Sequence, residues 1–181
     1  MHRFTDIHTH VPGRSGSVLS LPVCELDAGI TQCYSLQLHP WHLKGKEDIE
    51  AFLIWGRSHA SDPLLVAIGE CGLDPLCSTP MHLQHEAFLM ALRLAKELHK
   101  PVIIHCVKMW NEMLADVSQV LTMNERLELP LIVHGFRKGP QLARQLLDAG
   151  FSLSLGRYYN EATLQLIPAE RLYFETDDVP V

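Results

Sequence analysis

Six side chains that could bind metal ions stand at the ends of short apolar segments. They are His8, His10, Glu70, His105, His134 and Asp177. Because side chains alternate along a strand, His8 and His10 in segment 4–10 would point to the same side and could bind one ion together. A single His-x-His pair is weak support for a metal site. Ligand-type residues recur at the ends of several segments, and this recurrence favours one metal site that the segments share.

These segments belong to an alternating series of strands and helices. The predicted strands cover residues 4–10, 17–22, 32–38, 64–70, 101–105, 130–134, 151–155 and 172–177. The predicted helices cover residues 46–58, 79–99, 109–124, 140–149 and 161–167. Eight strands without a Gly-rich phosphate-binding turn favour a parallel β/α barrel over an open doubly wound sheet.

The chain is short for such a barrel. Its 181 residues, 47% of them hydrophobic, predict one domain over residues 1–181, whereas a β/α barrel usually has about 250 residues. The sequence leaves no room for helices after strands 1, 2 and 8, so we expect a compact, distorted barrel. Only about nine residues separate strands 2 and 3, fewer than a parallel crossover usually needs. These two strands could therefore form a hairpin or a shortened crossover.

The missing helices should leave the outer faces of strands 8 and 1 uncovered. Exposed apolar surface of this kind usually binds a partner or another segment. We therefore expect either a homodimer through this face or a longer protein whose following residues cover it.

Charge and cysteine content restrict the class of protein. The net charge of -6 gives no general attraction to polyanions, so a nucleic acid would have to be bound locally. No segment is long and apolar enough to predict a membrane span. The five cysteines form no CxxC pair and the start of the chain is unlike a signal peptide. We interpret them as reduced thiols of a cytoplasmic protein.

In a β/α barrel the carboxyl ends of all strands meet at one face, where the active site lies. The six side chains would then converge, although each alone could be a hydrogen-bonded core residue. Four imidazoles and two carboxylates suit two metal ions about 3.5–4 Å apart, bridged by a carboxylate. The residues thus predict a two-metal hydrolase. Histidine-rich ligation favours zinc or manganese, with magnesium as a weaker alternative.

Six segments, in this order, carry a family resemblance. They are FTDIHTH (4–10), LHPW (38–41), AIGECGLD (67–74), PVIIH (101–105), IVHGF (132–136) and FETD (174–177). As an ordered set they resemble the motifs of the TatD-type metal-dependent hydrolases, a family often described as deoxyribonucleases. The resemblance implies a distorted TIM-type barrel, ligation of metal by the six side chains and phosphodiester cleavage. It makes Glu70 the bridging ligand and gives Asp177 the task of positioning or deprotonating the attacking water.

The residues around the expected substrate differ from the commoner family pattern. The sequence after His105 lacks the usual Arg-Asp pair, and the segments after His134 and Asp177 also depart from it. The expected substrate-binding residues are His39, Trp41, Lys108 and Arg137. For the first two, packing within the loop is an equal alternative. Lys108, Arg137, Lys138 and Arg157 would place positive charge at the mouth, which suits a phosphate, although ordinary solvated rim charges are an equal alternative.

The leading hypothesis is a metal-dependent phosphodiesterase acting on DNA ends or short oligonucleotides. Hydrolysis of a small amide, lactone or phosphoester would need the same two metals, and it suits the acidic net charge better. A non-catalytic metal-binding scaffold is the third possibility.

Overall fold

A computed structural model describes residues 1, 4–26 and 29–178 of the chain. The strands are β1 (Asp6–Thr9), β2 (Ser17–Pro22), β3 (Tyr34–Leu38), β4 (Leu65–Leu73), β5 (Val102–Cys106), β6 (Leu131–Val133), β7 (Ser152–Leu155) and β8 (Leu172–Phe174). The helices are α1 (Lys46–Ser58), α2 (Met81–Leu98), α3 (Trp110–Val120), α4 (Met123–Glu128), α5 (Pro140–Asp148) and α6 (Glu161–Leu164). Two single 3-10 turns lie at Val23–Glu25 and Ala169–Arg171.

All eight strands form one sheet in sequence order, and every hydrogen-bonded pair of neighbours is parallel. The sheet curls into a nearly closed barrel. Beyond the last strand, Asp177 N donates to His8 O at 3.1 Å and His10 N donates to Asp178 O at 3.0 Å. The predicted β/α barrel is therefore confirmed, and the β2–β3 connection is a shortened crossover rather than a hairpin.

Alternation along the strands divides the core into two parts. The barrel interior is filled at one level by Ile7, Val18, Ala67, Ile103, Ile132 and Tyr173. The opposite strand faces, such as those carrying Leu36, Ile68 and Ile104, pack in the larger cluster with the helices. Strands β4 and β5 are buried on both faces. Their sequences are therefore nearly continuous apolar runs, as is usual in parallel sheets. Above the apolar interior level, towards the carboxyl ends of the strands, the inner side chains become polar.

The helices cover the barrel unevenly. Helix α2 buries Phe88, Ala91, Leu92 and Ala95 on one stripe, and it packs on β4 between α1 and α3. Within the described residues, by contrast, no α-helix lies between β1 and β2 or between β2 and β3, and none follows β8. A groove of about 560 Å³ runs beside β2, lined in part by Leu19, Leu21 and Ile30. The expected absence of these three helices therefore agrees with the structure as far as it is described.

The element boundaries differ from the expectation in two informative places. The predicted helix 109–124 is two helices, because Leu121 is extended and Thr122 caps α4 through a hydrogen bond from Glu125 N. Strand β1 ends at Thr9, so His10 lies just beyond the strand rather than within it. No helix in the described part of the chain has the length and apolar character needed to cross a membrane.

Candidate metal centre

Glu70 lies at the middle of the candidate site and is only 3% exposed. It stands on β4 between Gly69 and Gly72, whose φ angles of +115° and +149° are rarely adopted by other residues. A Cβ atom on Gly72 would overlap the carbonyl oxygen of His105 on the neighbouring strand. The register with β5 also shifts between Gly69 and Cys71. This bulge-like irregularity turns the Glu70 carboxylate into the barrel mouth.

One oxygen of Glu70 faces a group of side chains from the seam of the barrel. The seam is the place where β1 meets the residues after β8. Glu70 Oε2 lies 3.3 Å from His8 Nε2 and 3.6 Å from His10 Nε2. The same two nitrogens lie 3.6 and 3.9 Å from Asp177 Oδ1. We call His8, His10 and Asp177 the seam group. It comes from β1, from the residue directly after β1 and from the segment after β8.

The other oxygen of Glu70 faces a second set of imidazoles. Glu70 Oε1 lies 2.8 Å from His105 Nδ1, 2.8 Å from His134 Nε2 and 3.0 Å from His39 Nε2. We call His39, His105 and His134 the central group. His39 and His134 directly follow β3 and β6, and His105 lies near the carboxyl end of β5. The structure thus brings all six predicted ligands together and adds His39 to them.

Electrostatics favour an ionised carboxylate at this position. Burial acts to raise the pKa of Glu70, but the nearby His134 and His8 outweigh it, and the pKa falls well below its ordinary value. For His134, burial acts to lower the pKa, while the negative charges of Glu70 and Glu175 raise it well above its ordinary value. Burial is the main cause of the lowered pKa of His39.

Several buried ring nitrogens lack a hydrogen-bond partner. These are both nitrogens of His8 and Nδ1 of His134. A buried polar atom without a partner costs about 1–3 kcal/mol, and three in one cavity are unusual. Sets of three side chains, including His8–Glu70–His134 and His8–His10–Asp177, place their ligand atoms within 4.8 Å of one another. The donors present therefore fit a divalent metal centre.

Two further carboxylates, those of Asp6 and Asp74, support the ligand side chains. Asp6 accepts hydrogen bonds from His8 N (3.2 Å), Thr176 N (3.1 Å) and Thr176 Oγ1 (2.7 Å), which ties the two sides of the seam. Asp74 Oδ2 lies 3.3 Å from His105 Nε2 and accepts from Trp41 Nε1 at 2.6 Å. Such partners fix the orientation of ligating residues.

Glu175 was missed by the sequence analysis. It is 7% exposed, its Oε1 lies 3.7 Å from His134 Nδ1, and it accepts a hydrogen bond from Gly135 N. Burial acts to raise its pKa, but His134 lowers it overall. Its position two residues before Asp177 could have indicated it, because alternate side chains of an extended segment lie on the same face.

The four predicted substrate-binding residues lie in different surroundings. His39 is buried against Glu70, as described above, whereas Trp41 is 62% exposed and is held by Asp74. Arg137 is exposed on the loop after β6. Lys108 is exposed on the loop after β5, and it lines neither of the two clefts at the mouth of the barrel.

These two clefts meet at Asp177. The larger cleft has a volume of about 660 Å³ and is lined by residues that include His10, Gln37, His39, Trp41 and Glu70. The smaller cleft has a volume of about 270 Å³. Its lining includes Arg137, Arg157, Tyr158 and Glu175. A substrate bound across both clefts would pass over the candidate metal centre.

The two cysteines that follow predicted ligands are not part of the centre. Cys71 lies in the outer core, and burial raises the pKa of its thiol. Burial is also the main cause of the raised pKa of Cys106, at about 12. All five cysteines are free thiols.

The parallel barrel and the imidazoles and carboxylates clustered at its mouth together indicate the class of protein, a metal-dependent hydrolase. The family can be given more narrowly, because the sequence model of the TatD related DNase family matches residues 20–180. The chain belongs to this family, and the resemblance noted in the sequence is confirmed. His8 and His10 lie before the matched segment.

Similar proteins carry related names. The 3'-5' ssDNA/RNA exonuclease TatD of Cronobacter turicensis is 39% identical over 132 residues, which are 67% of this chain and 48% of that protein. The uncharacterized metal-dependent hydrolase YcfH of Escherichia coli K12 is 29% identical over 152 residues, 80% of this chain and 54% of that protein. The chain thus spans about half the length of these relatives.

Solved structures show the same fold. YjjV, a TatD homologue from Escherichia coli K12, matches with a TM-score of 0.77 at 23% identity, covering 99% of this chain and 81% of that one. A TatD family hydrolase from Entamoeba histolytica matches with a TM-score of 0.74 at 18% identity, covering 97% and 73%. At these identities the likeness concerns the barrel alone.

Proposed function

We propose that the protein is a divalent-metal-dependent phosphodiesterase that hydrolyses DNA ends or short oligonucleotides. The observation that carries this proposal is the position of Glu70, whose two oxygens face two different groups of imidazoles. A carboxylate in this arrangement is suited to bridge two cations. The name of the Cronobacter relative, an exonuclease of single-stranded DNA and RNA, supports a single-stranded nucleic acid as the substrate.

The proposed ligands divide between two ions. His8, His10 and Asp177 would hold one ion, His105 and His134 the other, and Glu70 would contact both. Divalent ions bound there would polarise the phosphate and make water a stronger nucleophile at neutral pH. The imidazole-rich set favours zinc or manganese over magnesium.

Asp177 is the proposed base. Its side chain is 37% exposed at the junction of the two clefts, and its backbone is fixed by the hydrogen bond from Asp177 N to His8 O. A water that attacks phosphorus there would give its proton to Asp177 as the new P–O bond forms. The ester P–O bond would break on the opposite side, the leaving oxygen would take a proton from solvent water, and Asp177 would return its proton to solvent.

His39, Trp41, Arg137 and Lys108 are proposed to contact the substrate. His39 lies beside His105 with a ring separation of 4.5 Å, close enough to the centre to donate a hydrogen bond to a phosphate oxygen. The exposed Trp41 ring offers a surface on which an unpaired base could stack. Arg137 and Lys108 would supply positive charge at the rim, and Arg137 is the better placed because it lines a cleft.

Metal-reconstituted protein should be assayed on a substrate panel. The panel contains nitrophenyl phosphodiesters and end-labelled oligonucleotides beside nitrophenyl amides and lactones. The proposal predicts metal-dependent hydrolysis of the phosphodiesters that stops when a chelator is added. Turnover of the amides or lactones alone would replace the nuclease with a small-molecule hydrolase. Binding of metal without any turnover would favour the scaffold.

Two earlier expectations stay predictions. A homodimer through the outer faces of β8 and β1 would appear in light scattering as a mass that rises with protein concentration. Cytoplasmic localisation would appear in fractionation of cells that express the protein.

A further inference from the structure

Apart from Arg137 and Asp177, the proposed chemistry gives no role to the side chains of the smaller cleft. Its wall carries two exposed arginines, Arg137 and Arg157, and the 69% exposed Tyr158. The Arg157 guanidinium carbon lies 5.4 Å from the centre of the Tyr158 ring. Positive charge next to an exposed aromatic ring is typical of surfaces that bind single-stranded nucleic acid.

The arginines of this cleft are available to an anion. Among the described residues, neither Arg137 nor Arg157 has an acidic partner within 4 Å, and the acids in the cleft are engaged elsewhere. Asp178 pairs with Arg14 at 2.7 Å, and Glu175 accepts from Gly135 N. Asp177 faces His8 and His10.

The loops that carry these residues are anchored on both sides. The 2% exposed Phe136 precedes Arg137, and its backbone N–H donates to Ser154 O at 3.0 Å. Thr163 Oγ1 donates to Lys138 O at 2.8 Å, which joins the loop after β6 to helix α6. Asn160, two residues after Tyr158, caps α6. A binding site built on fixed loops loses little entropy when a ligand binds.

Exposed aromatic rings flank the metal centre on both sides. Four aromatic side chains of the described residues are exposed: Trp41, Tyr158, Tyr159 and Phe174. The first three lie on loops at the carboxyl ends of β3 and β7. Trp41 borders the larger cleft and Tyr158 the smaller one, and Asp177 borders both. Two adjacent nucleotides could therefore lie on either side of the centre.

We propose that Arg137, Arg157 and Tyr158 form a second-nucleotide subsite. In it, the two guanidinium groups bind the phosphate next to the one that is cleaved, and Tyr158 stacks on a base. This inference rests on the proposed phosphodiesterase activity. It adds a preference for chains with at least two phosphates over substrates with a single phosphodiester.

The test compares two thymidine substrates. A dinucleotide has one phosphodiester and a trinucleotide has two, so only the trinucleotide can place a second phosphate against Arg137 and Arg157 while the first is cleaved. We expect the wild-type kcat/KM to favour the trinucleotide on the order of tenfold. Arg157→Gln and Tyr158→Ala should reduce this ratio towards one, mainly by raising KM for the trinucleotide. The matched control, Arg144→Gln on the exposed face of α5, should leave the ratio as it is.

A binding measurement separates the two proposals. Fluorescence anisotropy of a labelled oligothymidylate, without added metal, should show weaker binding in both Arg157→Gln and Tyr158→Ala. The salt dependence should change in Arg157→Gln. The slope of log affinity against log salt should fall by about 0.7, as expected for one lost phosphate contact to a single strand.

The outcomes differ for the two proposals. Hydrolysis of both substrates with an unchanged ratio in both variants would overturn the subsite and leave the phosphodiesterase standing. If no phosphodiester is cleaved, the phosphodiesterase fails. Binding then decides the subsite: unchanged affinity in both variants overturns it, whereas weakened affinity supports it.

Discussion

The barrel has two sides that are built differently, and the candidate metal centre joins them. Strands β3–β6 lie under α1, α2 and α3, and the largest buried side chains, such as Phe52, Phe88 and Leu92, belong to this covered side. Strands β8, β1 and β2 form an open side, because no α-helix follows any of these strands in the described part of the chain. Glu70 and the central group come from the covered side, and the seam group comes from the open side.

The two sides therefore hold their ligands by different means. The central group rests on tightly packed strands, with the close approach of β4 and β5 made possible by Gly69 and Gly72. The seam group depends on a few polar contacts, chiefly those of Asp6 with Thr176 and the ion pair of Arg14 with Asp178. The stabilisation from packing is spread over many contacts, whereas the stabilisation of a polar seam depends on a few hydrogen bonds and ion pairs. We expect the ion of the seam group to be the more easily lost.

The largest expected effect separates Glu70 from Asp177. Glu70→Gln removes negative charge from both groups and should lower metal content as well as turnover. Asp177→Asn should reduce turnover on the order of ten-thousandfold and retain much of the metal, because an amide cannot accept the proton of water but still fills the space. Elemental analysis and a phosphodiesterase assay check both variants. Near wild-type turnover in Asp177→Asn would refute its assignment as the base.

The next expected effect compares stability on the two sides. Phe88 is fully buried under α2, and Phe88→Ala should lower the free energy of unfolding by about 3–5 kcal/mol. Phe174 on β8 is 48% exposed, and Phe174→Ala should cost less than about 1 kcal/mol. Denaturant unfolding of both variants measures the difference. A large loss in Phe174→Ala would show that the open side is covered in solution.

The smallest expected effect concerns the seam. Asp6→Asn weakens the contacts that hold His8 and Thr176, and it should lower the affinity for one of the two ions by about 10–100-fold. The matched control is Asp116→Asn on the covered side, which alters an ion pair with His85 far from any proposed ligand. A metal titration against a chromogenic chelator follows both ions. Equal weakening of both ions by Asp6→Asn would contradict the division into two groups.

The sequence predicted the barrel because its signals are local and repeated. Segments 17–22 and 46–58 were predicted with the bounds of β2 and α1. The six side chains could be brought together because parallel strands place their carboxyl ends at one face, whatever the exact strand limits. His10 illustrates this, since it lies outside β1 and its ring centre is still 4.8 Å from that of His8.

What the sequence could not predict depends on contacts between distant segments. His39 and Trp41 follow the same strand, yet one is buried against Glu70 and the other is exposed and bonded to Asp74. The burial of Glu175 behind His134 likewise depends on how β8 meets β6 and β7. The family resemblance made Glu70 the bridging ligand, but which imidazoles face each of its two oxygens could not be predicted, because this depends on the local irregularity of β4 around Gly69.

The most direct test of the central claim is the number of metal ions per chain. Protein freed of metal, saturated with manganese and then passed through a desalting column should contain two ions per chain by elemental analysis. Glu70→Gln, treated in the same way, should contain fewer. A wild-type value of at most one ion per chain under saturating conditions would contradict the account, because Glu70 would then not bridge the seam group and the central group.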